Sequence, residues 1–167
     1  MSKILPLPSQ ERLQELFDYS VITGELYWKN PVSYSMKPGD LAGTTNGKYK
    51  RVTVDSQSFY LHRIIWQLVT GSCPDDIDVD HIDTDQFNNS WHNLRLADRS
   101  QNNYNTRCRA NNVSGLKGVC KRKSGYMARI TFDGKRRYLG TFPTPEEAHA
   151  AYCKAAEELH GEFARTN

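Results

Sequence analysis

The chain has no apolar run approaching the roughly 20 residues that a membrane-crossing helix needs, so no membrane partner is expected. Its cysteines, at 73, 108, 120 and 153, are scattered and form no C-x-x-C pair. That removes the usual signature of zinc held by cysteine pairs and of a disulfide framework. Nothing at the start resembles a secretory leader, and the expectation is a reduced, cytoplasmic protein. Charge of one sign is also scarce overall, with a net value of +3, but the total conceals a lopsided distribution. Residues 95–140 hold 12 Lys and Arg against 2 Asp and Glu, whereas residues 1–94 hold 8 against 12 and residues 141–167 hold 2 against 5. A concentrated basic centre is the footprint of a phosphate-rich partner, although a charge run alone also describes a solvated face. At 167 residues the chain suits one medium domain or two small ones.

What stands out is residues 79–105, VDHIDTDQFNNSWHNLRLADRSQNNYN. An Asp80-His81 pair is followed twelve residues after the histidine by Asn93 and nine residues later by Asn102. A neutral histidine takes a proton from water, a carboxylate holds a hard divalent cation, and a carboxamide oxygen is a further ligand for it. These are the parts of a metal-assisted hydrolase.

The surrounding pattern is mixed α and β. A short helix is expected after Ser9, then a strand at 25–28, an irregular loop over 31–47, a hairpin of 49–54 and 58–61 around 55–57, and a helix over 62–69 stopped by Gly71. Strands are expected at 78–81 and 93–96, then a helix opening near Asp98, with Gln101 three residues on as in a capping box. That spacing turns Asn102 toward the strand of Asp80 and His81. Residues 103–114 read as a linker. Three strand-like runs, 118–120, 126–132 and 137–142, follow, the last two joined by Asp133-Gly134. The closing helix starts at Thr144-Pro145 and carries Ala148, Ala151, Tyr152, Ala155 and Leu159 on one face.

With its GELYW and LHRIIW segments upstream of the Asp-His, Asn, Asn set, the stretch from about 25 to 106 resembles HNH endonucleases of the phage homing type. Residues 116–165, through GVCKRKSGYMARI, GKRRYLGTF, EEAHAAY and LHGEFARTN, resemble a plant ethylene-response-factor (Apetala-two) type DNA-binding domain. The two resemblances imply three divisions: an HNH domain over 1–106, a basic linker over 107–115 and a DNA-binding domain over 116–167. The implied fold is α+β, a ββα-metal (His-Me finger) core with N-terminal hairpin and helix elements, followed by a three-stranded antiparallel sheet on one helix.

The first resemblance implies that His81 is the general base and that Asp80 and Asn102 ligate one cation. Asn93 would brace the loop and orient the histidine through hydrogen bonds. Many family members have a histidine where this chain has Asn102, and the replacement favours an all-oxygen shell, hence Mg²⁺ or Mn²⁺ over Zn²⁺. Arg95 or Arg99 would add positive charge beside the phosphate. The second resemblance implies a sheet in the major groove of double-stranded DNA, with Lys117, Arg122, Arg129, Thr131, Arg136 and Tyr138 at contact positions and Arg107 in the basic linker. Cys120 stands where the plant domains commonly have arginine, and Tyr138 replaces a tryptophan, so the plant target sequence does not transfer.

His62, His92, His149 and His160 read as structural or exposed, Asp83 and Asp85 as turn residues, and Tyr27, Trp28, Phe59, Tyr60, Trp66 and Trp91 mainly as packing. The function expected is a metal-dependent endonuclease of phage or mobile-element type, working in the bacterial host cytoplasm if phage-encoded. The alternatives are a DNA-binding regulator with an inactive nuclease fold and an RNA-processing nuclease. A monomer would nick and a symmetric pair of chains would cut both strands; the sequence carries no oligomerisation signature.

Overall fold

A computed structural model of the chain describes residues 6–106, 108 and 112–166. The fold is α+β with small antiparallel sheets, and it divides into two compact units between Ala97 and Asp98.

In the first unit, Ser9 caps helix α1 (Gln10–Leu16) by accepting from the Arg12 amide. Leu13 and Leu16, three apart on one face, are buried. The chain turns directly into β1 (Phe17–Tyr19), which pairs with β2 (Leu26–Trp28). A second sheet holds β3 (Thr44–Asn46), β4 (Tyr49–Val54) and β5 (Gln57–Tyr60) in that order. The expected loop over 31–47 therefore ends in a strand. All three β3 residues are polar and exposed, so no apolar alternation announces it. The β4–β5 turn puts Asp55 at φ 47° and Ser56 at φ 65°, the doubly left-handed geometry of a two-residue hairpin.

Helix α2 (Leu61–Thr70) buries Leu61, Ile64, Ile65 and Leu68 against Leu13, Phe17, Leu26, Val52, Val54 and Phe59, and Gly71 closes it in the left-handed conformation. The hairpin of β6 (Asp78–His81) and β7 (Leu94–Ala97) adds Val79 and Leu94 to that core. Strand β7 starts one residue later than expected, because Trp91–Asn93 closes a single 3-10 turn. Core packing accounts for Trp28 and Phe59, which are buried, and Trp66 lies against Trp91; Tyr60 is exposed.

The second unit opens with α3 (Arg99–Tyr104), capped by the expected box: the Asp98 carboxylate accepts from the amides of Ser100 and Gln101, and the Gln101 side chain accepts from the Asp98 amide. A three-stranded sheet follows, ordered β10-β9-β8, of β8 (Val119–Arg122), β9 (Gly125–Phe132) and β10 (Lys135–Phe142). Its second turn has φ 49° at Asp133 and 71° at Gly134. Helix α4 (Pro145–His160) begins on the Thr144 cap with proline at its first turn. The face it buries is Ala148, Tyr152, Ala156 and His160. This corrects the expected face: Ala151, Ala155 and Leu159 flank it, half-buried. Gly118 is a close approach, since a Cβ there would lie 2.0 Å from the Tyr152 ring.

Candidate functional site

In the first unit the β6–β7 hairpin brings Asp80, His81, Asn93 and Arg95 together. Cross-strand register sets Asp80 opposite Arg95, and Arg95 Nη2 and Nε donate to Asp80 Oδ2 at 3.1 and 3.2 Å. Both side chains are largely shielded from water, at 11% and 16% exposure. Arg95 is thus committed to the carboxylate beside the histidine.

His81 is buried, and its Nε2 lies 3.0 Å from Asn89 Oδ1. The Asn89 amide donates to the Phe87 carbonyl, which fixes that carboxamide with its oxygen toward the imidazole. An oxygen acceptor here calls for a proton on Nε2, and in the neutral ring that leaves the lone pair on Nδ1, the arrangement a general base needs. Asn89 was not among the expected residues. It is one of three asparagines between His81 and Arg95, and only the turn shows which of them meets the ring. The histidine-orienting role expected of Asn93 falls to Asn89.

Asn93 holds the loop instead. Its Oδ1 accepts from the Asp83 amide, and its Nδ2 donates to Asp83 Oδ1 and to the Asn88 carbonyl. Burial pushes the Asp83 carboxyl up, but donors from Asn88, the Asp85 amide and Asn93 outweigh it and leave it below its ordinary value. Asp83 and Asp85 are turn residues, each accepting from an amide two positions on.

Two further supports converge on the same loop. The Tyr19 hydroxyl donates to the Asn89 carbonyl, the Trp91 amide donates to the Val21 carbonyl, and a Cβ on Gly24 would fall 2.2 Å from the Ser90 nitrogen. The turn after β1 is moulded to the segment that orients His81. On the other side His62 meets the His81 ring edge-on at 5.1 Å and stacks on Tyr60 at 5.5 Å. Burial, with smaller contributions from neighbouring His81 and Arg63, lowers the His62 pKa to about 3, so this ring is neutral at physiological pH.

In the second unit Asn102 and Arg99 both lie on α3. Across the sheet, Arg129 is paired with Tyr138 and Thr131 with Arg136. These four alternate with Ala128 and Ile130, which are buried under α4; with Arg122 they form the open face. Arg122, Thr131, Arg136 and Tyr138 are exposed and Arg129 is half-exposed. Lys117 is the correction in this set. Its ammonium donates to the carbonyls of Tyr104 and Thr106 at 2.7 and 2.6 Å, and burial, reinforced by Arg165 and opposed by Cys108, lowers its pKa to about 8. Arg107 lies outside the described residues. His149 and His160 bond the carbonyls of Lys117 and Thr131, structural positions as expected, and His92 is exposed.

Among the described residues no three His, Cys, Asp or Glu side chains gather as a metal cluster. In the first unit Asp80 carries a carboxylate, a hard oxygen donor. That donor chemistry fits a cation that takes the rest of its shell from water and phosphate. Among the described residues no helix is long and apolar enough to cross a membrane.

The family profile described as HNH endonuclease matches residues 59–104, which contain all of Asp80, His81, Asn89, Asn93 and Asn102. An uncharacterized HNH endonuclease of Acanthamoeba polyphaga mimivirus is 41% identical over 117 residues, 70% of this chain and 61% of its own length. Protein 3.8 of Escherichia phage T7 is 35% identical over 106 residues, 62% of this chain and 87% of its own. An ethylene-responsive transcription factor of Arabidopsis thaliana is 52% identical over 49 residues, 28% of this chain and 15% of its own. No solved structure matches the chain. The segment over residues 59–104, with its histidine between a carboxylate–arginine pair and a braced asparagine loop, matches the HNH endonuclease family.

Proposed function

We propose that this protein is a metal-dependent DNA endonuclease that hydrolyses phosphodiester bonds, in which the HNH segment cuts and the C-terminal sheet selects the site. The observation that carries the reading is buried His81 with its Nε2 3.0 Å from the fixed Asn89 carboxamide oxygen, beside the Asp80–Arg95 pair. In this reading Nδ1 of His81 removes the proton from the attacking water. Asn89 holds the ring while that happens and takes part of the charge that develops on it. Asp80 and Asn102 hold a divalent cation, Mg²⁺ or Mn²⁺, which when bound stabilises the charge on the phosphate and the departing 3′ oxygen. Arg95 keeps the Asp80 carboxylate in place and adds positive charge where the phosphate docks. The segment from β6 through α3 supplies the two strands and helix of a ββα-metal core.

For the C-terminal part, the reading is an ethylene-response-factor-like module. It is supported by a three-stranded sheet on one helix, by the 49-residue similarity and by one face bearing Arg122, Arg129, Thr131, Arg136 and Tyr138. Arg99 and Arg107 add contacts to the DNA backbone. The chain acts in the cytoplasm, on the host or element DNA it reaches there.

Plasmid incubated with Mg²⁺ or Mn²⁺ should be nicked or linearised, and the product should vanish with EDTA and in His81→Ala. Full activity of His81→Ala would sink the assignment. Salt-sensitive duplex binding with no cleavage under any metal would mark a DNA-binding regulator instead.

A further inference from the structure

Helix α3 has six residues, too few to hold its shape alone in water. Its N-terminal end is fixed by the Asp98 box. Its C-terminal end, where carbonyls lack partners within the helix, is gripped by side chains of the sheet-and-helix module. Lys117 Nζ donates to the Tyr104 and Thr106 carbonyls, placing a cation where the helix dipole favours one. The Tyr104 ring lies flat on His160, with centroids 3.8 Å apart and planes 2° from parallel. The Tyr104 hydroxyl accepts from the Asp133 amide in the β9–β10 turn, and His160 Nε2 is anchored on the Thr131 carbonyl of β9. Every one of these partners belongs to the second unit.

We propose that Lys117, Tyr104 and His160 are positioning residues for Asn102. They clamp the short helix that presents its carboxamide, so that affinity for the divalent cation is set in part by the DNA-binding module. The proposal rests on the reading of Asn102 as a cation ligand. The clamp residues touch no reacting atom; they act by holding α3 in one place. Supporting residues of this kind change metal affinity by about 10- to 100-fold when removed.

The test uses the full chain and Mn²⁺ alone, with bound Mn²⁺ read by electron paramagnetic resonance and amide exchange of residues 99–106 read in metal-free protein. Lys117→Met and His160→Ala should each weaken Mn²⁺ binding by about tenfold and speed exchange of that segment. Duplex affinity in EDTA should hold for His160→Ala. His160→Phe, which keeps a flat ring under Tyr104, should restore most of the Mn²⁺ affinity. Tyr104→Ala carries the same expectation as His160→Ala and keeps the test decisive should Lys117→Met not fold. Unchanged Mn²⁺ affinity in the clamp variants while Asn102→Ala loses it overturns the clamp, as does parallel loss of Mn²⁺ and duplex affinity. Unchanged Mn²⁺ affinity in Asn102→Ala overturns the ligand assignment beneath it.

Discussion

Replacing Asn89 by alanine would take away the acceptor that holds the proton on His81 Nε2, letting the ring adopt the other tautomer or turn over. Loss of a positioned general base costs about a hundredfold or more in rate, so Asn89→Ala should lower plasmid cleavage by about that factor with duplex affinity unchanged. Gel assays for cutting and binding on the same samples would check it; equal loss of both would count against the role. The Asp-His pair and the spacing of Asn93 and Asn102 were legible in the sequence, because they lie at fixed intervals along one motif. Asn89 was not, because its role depends on the path of the loop between β6 and β7. His62 has a separate consequence. Its pKa is depressed in the folded chain to about 3 against roughly 6.5 when unfolded. The unfolded state therefore binds the extra proton between those values, and the stability from keeping this ring neutral is fully present above pH 6.5 and lost as pH falls toward 3. His62→Phe should show a shallower fall of Tm between pH 6.5 and 4 than the parent chain, measured by thermal unfolding at each pH.

The outer face of β9 and β10 behaves as one element. Arginines 129 and 136 come side by side because Thr131 pairs with Arg136 and Tyr138 with Arg129 across the same two strands. If each meets one phosphate, Arg129→Ala and Arg136→Ala should each flatten the slope of log affinity against log salt by about 0.9, as read by fluorescence anisotropy on duplex at several salt concentrations. The resemblance, not alternation, named the residues of this face, while the Asp133-Gly134 turn was a hairpin signal in the sequence itself. Lys117, which the resemblance placed with this face, has its ammonium on the Tyr104 and Thr106 carbonyls. It precedes β8, outside the alternation, so spacing says nothing of where its long side chain goes. Strand β3 was missed because an exposed polar strand has no apolar signature, and the face of α4 was displaced because alanines at 148, 151, 155 and 156 offer two overlapping stripes. Gly118→Ala tests the packing directly. With a Cβ 2.0 Å from the Tyr152 ring and φ at +79°, it should unfold the second unit at a lower temperature and weaken duplex binding.

At the scale of the chain, acidic and basic residues are segregated: the first 94 residues carry an acidic excess and residues 95–140 a basic one. The two resemblances gave a division after residue 106, whereas compactness divides the chain after Ala97, inside the segment matched by the family profile. A six-residue helix builds no core of its own and is counted with whatever packs on it, a fact invisible to motif spacing. The turn after β1, moulded to the Asn89 segment through Tyr19, Val21 and Gly24, has a consequence for how the molecule ages. A protease that clipped away residues 1–28 would remove Leu13, Leu16, Phe17, Leu26 and Trp28 from the core and the mould from the loop, while every residue of the sheet of β8, β9 and β10 stayed covalently intact. The fragment should still retard duplex in a gel and leave plasmid whole. On the function proposed above, clipping would turn a cutter into an occupant of its own site, shielding that site from the intact enzyme.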